Sequence, residues 1–316
     1  SRRKWVGYTT KLLNIVRSLI ILIFHPPIVK LSRNTWKRQW VSLAIFRNIS
    51  DRKIYLPQNA KKQDLSTKLL FMIKNKNNRS KDDTLNSTTV FANYARYYDL
   101  LYRDKDYAAE AEYVACLIRK FHPSARSILE LGSGTGIHAS LLAKKGFTVH
   151  GIERSPEMLV RSQTLADNQN TGGDRLTFTA GDIREARLNK IFDVVISLFH
   201  VISYQTSNED VQAAFETARH HLKPGGIFIF DAWYGPAVLT ERPAVRIKKM
   251  ADEKIEVTRL AEPVLHPNEN LVDVNYHVFV RDHATGAVKE LQETHVMRYF
   301  FKPEIELIAS HNGLKI

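Results

Sequence analysis

Ser127-Ile-Leu-Glu-Leu-Gly-Ser-Gly-Thr-Gly136 sets one carboxylate inside a short apolar run and then places glycine at 132, 134 and 136. An apolar, helix-like segment from Ile137 to Lys145 follows. Strand, glycine turn and helix in this order open a nucleotide-binding α/β unit. Glycine admits positive φ and lets a ligand come close to the backbone. The next run, Phe147-Thr-Val-His-Gly-Ile-Glu153, reads as a second strand ending in an acid. Glu153 lies 21 residues after Gly132, near the spacing that sets a carboxylate on ribose hydroxyls.

The glycine pattern is E-x-G-x-G-x-G, and Ile137 stands where a dinucleotide fingerprint needs its last glycine. Glu130 at the strand end would repel a pyrophosphate and attract a cation. The stretch resembles the signature of class I S-adenosyl-L-methionine (SAM) methyltransferases. That resemblance implies SAM as cofactor and a doubly wound, Rossmann-like α/β sheet, with Glu130, Gly132, Gly134, Gly136, Glu153 and Arg154 lining the cofactor. A bare strand-to-helix turn and an NAD site are the competing readings.

The 316 residues allow one large domain or two small ones, and 44% apolar content allows a sizeable core. The single cysteine, Cys116, excludes internal disulfides and cysteine-only zinc clusters and fits a reducing, cytoplasmic setting. No histidine–carboxylate cluster has metal-ligand spacing. The net charge of +13 is uneven: residues 1–90 hold 19 Lys/Arg against 4 Asp/Glu, and the remainder holds 27 against 29. The basic character therefore belongs to the leader, which weakens a nucleic-acid reading of the core.

Residues 1–90 read as a basic, partly helical extension. Leu12 to Phe24 is apolar but broken by Asn14, Arg17 and Ser18, too short for the about 20 apolar residues of a spanning helix. Trp36, Trp40, Leu43 and Phe46 share one face of a second basic helix. Peripheral membrane contact through residues 1–50 competes with a solvated arm or the tail of a preceding module. The polar residues 74–89 read as a linker, which puts the domain boundary near residue 90 and the catalytic domain at 91–316. Because the chain starts at Ser1, it is expected to be a piece of something longer.

Phe91-Ala-Asn-Tyr-Ala-Arg-Tyr-Tyr-Asp-Leu-Leu-Tyr102 interleaves tyrosines with charges ahead of the first strand and suits a lid, and Ala108 to Phe121 reads as a helix. Tyr-Tyr-Asp-Leu-Leu-Tyr102, then Lys-Asp-Tyr-Ala-Ala-Glu-Ala111, then the glycine motif, resemble the N,N-dimethyltransferases of nucleotide-linked amino sugars. The resemblance covers roughly residues 91 to 316. It implies that Tyr102 lies near the substrate amine, that Tyr98 lines the substrate site, and that Tyr107 binds the methionine carboxylate of the cofactor.

Ser155 caps a helix with Pro156 at its first position. Leu176 to Ile183 reads as the third strand, and Asp182 with Ile183 matches the position that reads the adenine edge. Phe192 to Phe199 is a buried fourth strand; Leu198 at its end is assigned to the cofactor, and His200, Ser203 and Tyr204 follow where ligands bind in open α/β sheets. The amino-sugar family has a histidine nearer the place of Tyr204, so the general base is left open among His200, Tyr204 and Tyr102. Asp210 to Leu222 reads as a helix, Lys223-Pro-Gly-Gly226 as a turn, and Ile227 to Phe230 as the fifth strand. Trp233 and Tyr234 beyond it are substrate candidates. From about 244 to 301 the pattern has period two and reads as a small inserted antiparallel sheet, a wall of the site or a homodimer face. A last helix begins near Pro303. The chain stops where a sixth strand would begin, so the C-terminal strands read as truncated.

The reading that these motifs support is methyl transfer from SAM to an amine or hydroxyl of a small, sugar-linked acceptor. A non-catalytic SAM-fold module in a polysaccharide-assembly protein and an RNA methyltransferase recruited by the basic arm are the alternatives.

Overall fold

The computed structural model describes Leu19–Phe24, Tyr97, Tyr98 and residues 100–169 and 175–316. The helix expected around Trp36 to Phe46, the linker at 74–89 and the start of the tyrosine segment lie outside the described residues. Leu19–Phe24 is strand β1. The first of the described helices with full bounds, α1, spans Tyr107–Phe121, and the Asp106 side chain caps it by accepting from Ala109 N–H at 3.0 Å. Then come β2 (Ser127–Leu131), α2 (Ile137–Lys144), β3 (Thr148–Glu153), α3 (Pro156–Asn168), β4 (Leu176–Ala180), β5 (Phe192–Ser197), α4 (Asn208–His221) and β6 (Leu222–Tyr234).

Strands β4, β3, β2, β5 and β6 pair in that order, all parallel. Successive residues of a strand point to opposite faces, and β2 shows the result. Leu129 and Leu131 join Phe215, Phe228 and Phe230 in one buried cluster, while Ile128 joins Ile118, Leu142 and Val149 in the other. Helices therefore cover both faces, as the doubly wound reading requires. The order reverses between β2 and β5, which puts the ligand crevice at the carboxyl ends of these strands. Ser155 caps α3 through a hydrogen bond from Met158 N–H at 3.3 Å, with Pro156 in the first turn.

Several boundaries differ from the sequence reading for local reasons. The fourth strand stops at Ser197, because Phe199 and His200 take φ of 65° and 64°. The third stops at Ala180, where Gly181 N–H turns to Glu153 O. Lys223-Pro-Gly-Gly226 lies within β6 as an irregularity: Phe192 faces Leu222, but Val194 faces Ile227. There a Cβ on Gly226 would sit 2.8 Å from the Asp193 carbonyl oxygen.

Leu19–Phe24 departs from the helical reading of the leader. It is a strand antiparallel to β6, with Leu19 opposite Trp233 and Phe24 opposite Phe228. Leu-Ile-Ile-Leu-Ile-Phe is rich in β-branched residues, which favour strands, and it pairs with the edge of β6 that β5 leaves open.

After α5 (Gly235–Thr240), strands β7 (Arg246–Ala251), β8 (Ile255–His266), β9 (Leu271–Asp282) and β10 (Val288–Phe300) form an antiparallel meander. The meander is the antiparallel insert expected from the period-two pattern, and it is joined to the main sheet at one end. The end of β10 pairs parallel with β6, Tyr299 facing Trp233 and Phe300 facing Tyr234, so the described strands join into one mixed sheet. Tyr276 lies opposite Glu293, Val274 opposite His295, and Val278 opposite Arg259, which puts these side chains on one face. Helix α6 spans Lys302–His311; beyond it Lys315 makes a single bridge rather than a strand. No helix among the described residues is long and apolar enough to cross a membrane.

Candidate active site

The turn after β2 is shaped by contacts that only glycine allows. Gly132 has φ +73°, and a Cβ there would sit 2.6 Å from the Val201 side chain. The amides of Gly132 and Ser133 both donate to Ile152 O, at 2.9 and 3.0 Å, and lock the turn to β3. Gly134 has φ +56°, yet a Cβ there would meet nothing within 4 Å. The turn is thus packed on one side and open on the other, at the point where a ligand would lie. Gly136 is the left-handed N-cap of α2.

Two carboxylates flank this opening. Glu130 is 1% exposed, and its Oε2 has no hydrogen-bond partner. Burial, and then the nearby Glu153, push its carboxyl up to about 8 against the pull of the Ala139 amide. Glu153 accepts from Gly134 N–H at 2.7 Å and Ser155 N–H at 2.8 Å. Burial raises its pKa, opposed by the Ser155, Gly134 and Arg154 amides and the Arg154 charge. A carboxylate has about four acceptor positions, so Glu153 keeps room for a further donor beyond these amides. The buried Ser133 hydroxyl is also unpartnered. An open glycine cradle, a buried acid lacking a partner and a second acid with spare acceptors suit a cationic ligand carrying hydroxyls. They do not suit a diphosphate.

Asp182 stands past β4 with its acceptor positions filled. Arg184 donates from its backbone N and Nε to Oδ1, both at 2.9 Å, and from Nη2 to Oδ2 at 2.7 Å; Arg154 Nη1 reaches Oδ2 at 3.2 Å. Partial burial alone would raise this carboxyl, but Arg184 and Arg154 hold it down to about 2. Adenine recognition through this carboxylate therefore calls for one arginine to give up its place. The Arg154 guanidinium pairs with Asp182, and its charge also acts on Glu153. Ile183 is buried in the core below, and Leu198 in the cluster on the opposite face.

The segment after β5 is bent by two consecutive left-handed residues without glycine, Phe199 and His200. Such conformations cost about 1–3 kcal/mol each and persist only where the surroundings hold them. Here the His200 N–H donates to Asp231 Oδ1 at 3.0 Å, and Ser203 N–H returns to His200 O at 2.9 Å. Asp231, on β6, is buried. His200 Nδ1 lies 3.5 Å from Asp231 Oδ2, within ion-pair range but without hydrogen-bond geometry. Burial lowers the His200 pKa, Asp231 opposes it and Lys105 adds to it. The result is a neutral imidazole at the carboxyl end of the sheet.

Aromatic rings surround it. Phe199 meets Tyr102 edge-on at 5.1 Å between centroids, Tyr98 packs on Tyr102 at 4.7 Å, and Trp233 stands edge-on to His200 at 6.4 Å. Tyr98 hydrogen-bonds Tyr107, and its hydroxyl is pushed well up by burial and by the neighbouring Tyr107, Tyr102 and Tyr204. Tyr107 opens α1 beside His138, whose Nε2 is 2.9 Å from Glu110; Lys105 lies over the Tyr107 ring and is ion-paired with Glu110. Tyr234 is half-buried at the end of β6, where it pairs with Phe300.

The meander supplies the far wall. Arg259 Nη1 donates to the Tyr102 hydroxyl at 3.1 Å, and Lys248 approaches the same ring. The Tyr204 hydroxyl is 2.7 Å from His295 Nδ1, His295 Nε2 is 3.4 Å from Glu293 Oε2, and Tyr97 donates to Glu293 Oε1 at 3.4 Å.

Comparison with known proteins agrees with this geometry. Residues 128–226 match a family described as "Methyltransferase domain". The chain is 30% identical over 225 residues to the dTDP-3-amino-3,4,6-trideoxy-alpha-D-glucopyranose N,N-dimethyltransferase of Streptomyces venezuelae, covering 71% of this chain and 90% of that protein. The chain belongs to the nucleotide-linked amino-sugar N,N-dimethyltransferase family. It is a class I SAM-dependent methyltransferase. The crystal structure of Streptomyces venezuelae DesVI superposes with a TM-score of 0.60 at 30% identity, covering 69% of this chain and 89% of that one. SAM-bound CalS10, an amino pentose methyltransferase from Micromonospora echinaspora involved in calicheamicin biosynthesis, gives 0.57 at 25% identity, covering 67% and 85%.

When bound, SAM supplies a methyl group already activated by a sulfonium. Glu130, Glu153, Ser133 and the open side of Gly134 are the residues of this methyltransferase that fit it. What remains for the chain is to bind, align and exclude water.

The structure brings Tyr98, Tyr102, Tyr107, His200, Tyr204 and Trp233 to one end of the sheet with the glycine turn. Sequence reasoning missed Asp231 as the partner of His200, and it missed Arg259, Tyr276, Glu293 and His295 of the meander. One signal was available: Leu291, Glu293, His295 and Met297 alternate on β10, so a glutamate and a histidine share a face with apolar residues.

Proposed function

We propose that this enzyme methylates the amino group of a nucleotide-linked sugar. The observation that carries the reading is the chemistry of the acceptor end. Its proton acceptor is the His200 imidazole, whose pKa burial lowers, and beside it stands the Tyr204 phenol, whose pKa burial raises well above the ordinary value, so that it donates rather than accepts. This is an environment that receives a neutral amine and takes its proton, rather than one that neutralises a cation. The similarity to the Streptomyces venezuelae enzyme over nine-tenths of that protein supports the same acceptor class. Arg259, Lys248 and Lys105 beside Tyr102 and Phe199 supply positive charge that suits an anionic nucleotide tail.

In this reading Tyr98, Tyr102, Trp233 and Tyr234 hold the sugar, while His200 and Tyr204 face the amine. Glu130, Glu153 and Tyr107, with the glycine turn, hold the cofactor. Alignment of reacting groups is worth about 7–11 kcal/mol in favourable cases, and the strained Phe199–His200 bend is the device that aims the acceptor side.

The test is incubation of the full chain with SAM and a panel of dTDP-3-amino and dTDP-4-amino sugars. Mass spectrometry then counts the methyl groups added. Transfer to at least one amine, together with calorimetric binding of S-adenosylhomocysteine, is the expected result. Binding without transfer to any amine would reject the acceptor class.

A further inference from the structure

We propose that Lys105 is a positioning residue of the acceptor site: its ammonium, seated against the rings of Phe199 and Tyr107 and paired with Glu110, fixes the left-handed bend that presents His200. The proposal rests on the place given above to His200 beside the acceptor amine and deepens it.

The contacts run from the cofactor turn to the bend. His138 lies in the first turn of α2, two residues after Gly136, and is buried. Its Nε2 is 2.9 Å from Glu110 Oε2 on α1. An ionised carboxylate only accepts, so Nε2 carries the proton. Burial works against the ionised form of Glu110, but His138 and Lys105 outweigh it and hold its pKa down. The same Glu110 oxygen receives Lys105 Nζ. That ammonium stands 4.4 Å from the centre of the Tyr107 ring and 4.5 Å from that of Phe199. The Lys105 side chain is only 11% exposed. Its backbone is fixed as well: Lys105 N–H donates to Tyr102 O, and Tyr107 N–H donates to Lys105 O, both at 3.0 Å. The charge of Lys105 adds to the positive field of Arg259 and Lys248, but its contacts are internal.

The bend needs such a hold. Phe199 and His200 both take positive φ without glycine, and conformations of this kind last only where the surroundings fix them. His200 is fixed through its amide, which donates to Asp231. Phe199 is fixed through its ring, edge-on to Tyr102 and under the Lys105 ammonium. A cation over an aromatic ring is attracted by the ring quadrupole, the more so away from water. An apolar side chain of the same length would fill the space without that attraction. The ammonium also acts on the imidazole directly. Burial lowers the His200 pKa most, Asp231 on β6 opposes it, Lys105 adds to it and Glu110 on α1 opposes it. The rings beside His200, Phe199 and Trp233, carry no charge. Asp231 and Lys105 thus bracket His200 with opposite charges. Removing the ammonium takes away a charge that disfavours imidazolium and leaves Glu110 without that counter-charge, so the His200 pKa should rise. Any loosening of the bend that hydrates the ring acts in the same direction.

Two measurements decide the matter. Lys105→Met keeps an unbranched side chain and removes the charge, whereas Lys105→Arg keeps the charge. In the resting full-length enzyme, 15N NMR of labelled histidine follows the titration of His200, assigned by loss of its signal in His200→Gln. The midpoint should move to higher pH in Lys105→Met and stay near wild type in Lys105→Arg. An unmoved midpoint in Lys105→Met would overturn the proposal whatever the acceptor proves to be. On a dTDP-amino sugar that the wild type methylates, Lys105→Met should lower kcat by about 10-fold, the order of a desolvated cation–π contact. It should also move the acid limb of kcat/KM to higher pH, opposite to the direction expected when Asp231 loses its charge. Lys105→Arg should restore most of kcat and return the limb. A role in packing alone would lower kcat or melting temperature alike in both variants and leave the limb in place, and that result would reject the proposal. A wild type inactive on every amino sugar would defeat the acceptor class instead, and leave the His200 midpoints to judge Lys105.

Discussion

Gly134 N–H donates to Glu153 Oε2 at 2.7 Å, so the turn after β2 and the end of β3 are fastened to one another at the proposed cofactor site. The same carboxylate receives Ser155 N–H at 2.8 Å, and two backbone amides thereby aim its remaining acceptors. Glu153→Ala removes both the aim and the acceptors. Hydrogen bonds to a charged group are worth about 1.5–3 kcal/mol, so S-adenosylhomocysteine should bind about 10- to 100-fold more weakly. Calorimetry at fixed pH measures this, and an affinity equal to wild type would remove Glu153 from the site.

Glu130 yields a pH prediction. With a carboxyl near 8, it is about nine-tenths protonated at pH 7 before ligand binds. A cationic ligand beside it favours the ionised form, so SAM binding should release a proton. Calorimetry in buffers of different ionisation heat counts that proton, and Glu130→Gln should abolish the release. The same group acts on stability. Its folded pKa lies above the unfolded one, so its contribution is fully present below about pH 4.5 and is lost as pH rises through about 8. The ligand-free protein should lose melting temperature over that window, and Glu130→Gln should flatten the loss.

The His200–Asp231 pair concerns the acceptor side. Asp231 raises the imidazole pKa against burial, and its Oδ1 anchors the His200 amide. Asp231→Asn can keep the amide bond but loses the charge. Its acid limb in kcat/KM should therefore move to lower pH, with cofactor affinity unchanged. Asp231→Ala also frees the bend at Phe199 and His200 and should lower kcat further. An acid limb that stays in place in Asp231→Asn would mean that His200 does not titrate in the rate.

The strand–turn–helix that carries the proposed cofactor residues was legible because its information is local. The glycine turn, the acid 21 residues on, the Ser155 cap and the alternation of β2 all lie within one strand–turn–helix spacing of one another. The acceptor half depends on pairing register, which short windows do not carry. His295 meets Tyr204 across 91 residues, and only the two-residue parity of β10 hinted that Glu293 and His295 point inward. Phe199 and His200 were read as strand and loop because no glycine marks their left-handed bend. Leu19–Phe24 was read as part of a helical leader because its partner, Phe228 to Trp233, is some two hundred residues away. The wall formed by β7–β10 was foreseen as antiparallel from its period. Its fusion to β6 was not, because Tyr299 and Phe300 are the only residues of β10 that make the parallel bridge.

Asp193 offers a stability test away from the chemistry. Its Oδ2 accepts from the amides of Arg126 and Ser127, both at 2.9 Å, and from the Ser127 hydroxyl at 2.8 Å, while Oδ1 accepts from Lys223 at 2.8 Å. One side chain thus joins the start of β2 to β5 and to the irregular stretch of β6. Burial works against the ionised form, but Lys223 and the β2 amides outweigh it and hold the carboxyl well below the usual range. A depressed acid contributes stability above its unfolded pKa and loses it as pH falls toward the folded value. Asp193→Ala also leaves the Arg126 and Ser127 amides without their acceptor, a cost of about 1–3 kcal/mol for each group that is buried. Denaturant unfolding should therefore show Asp193→Ala clearly less stable than wild type at pH 7, with the gap narrowing below pH 4. A gap of the same size at both pH values would mean that the charge contributes nothing and that only the hydrogen-bond geometry at the start of β2 matters.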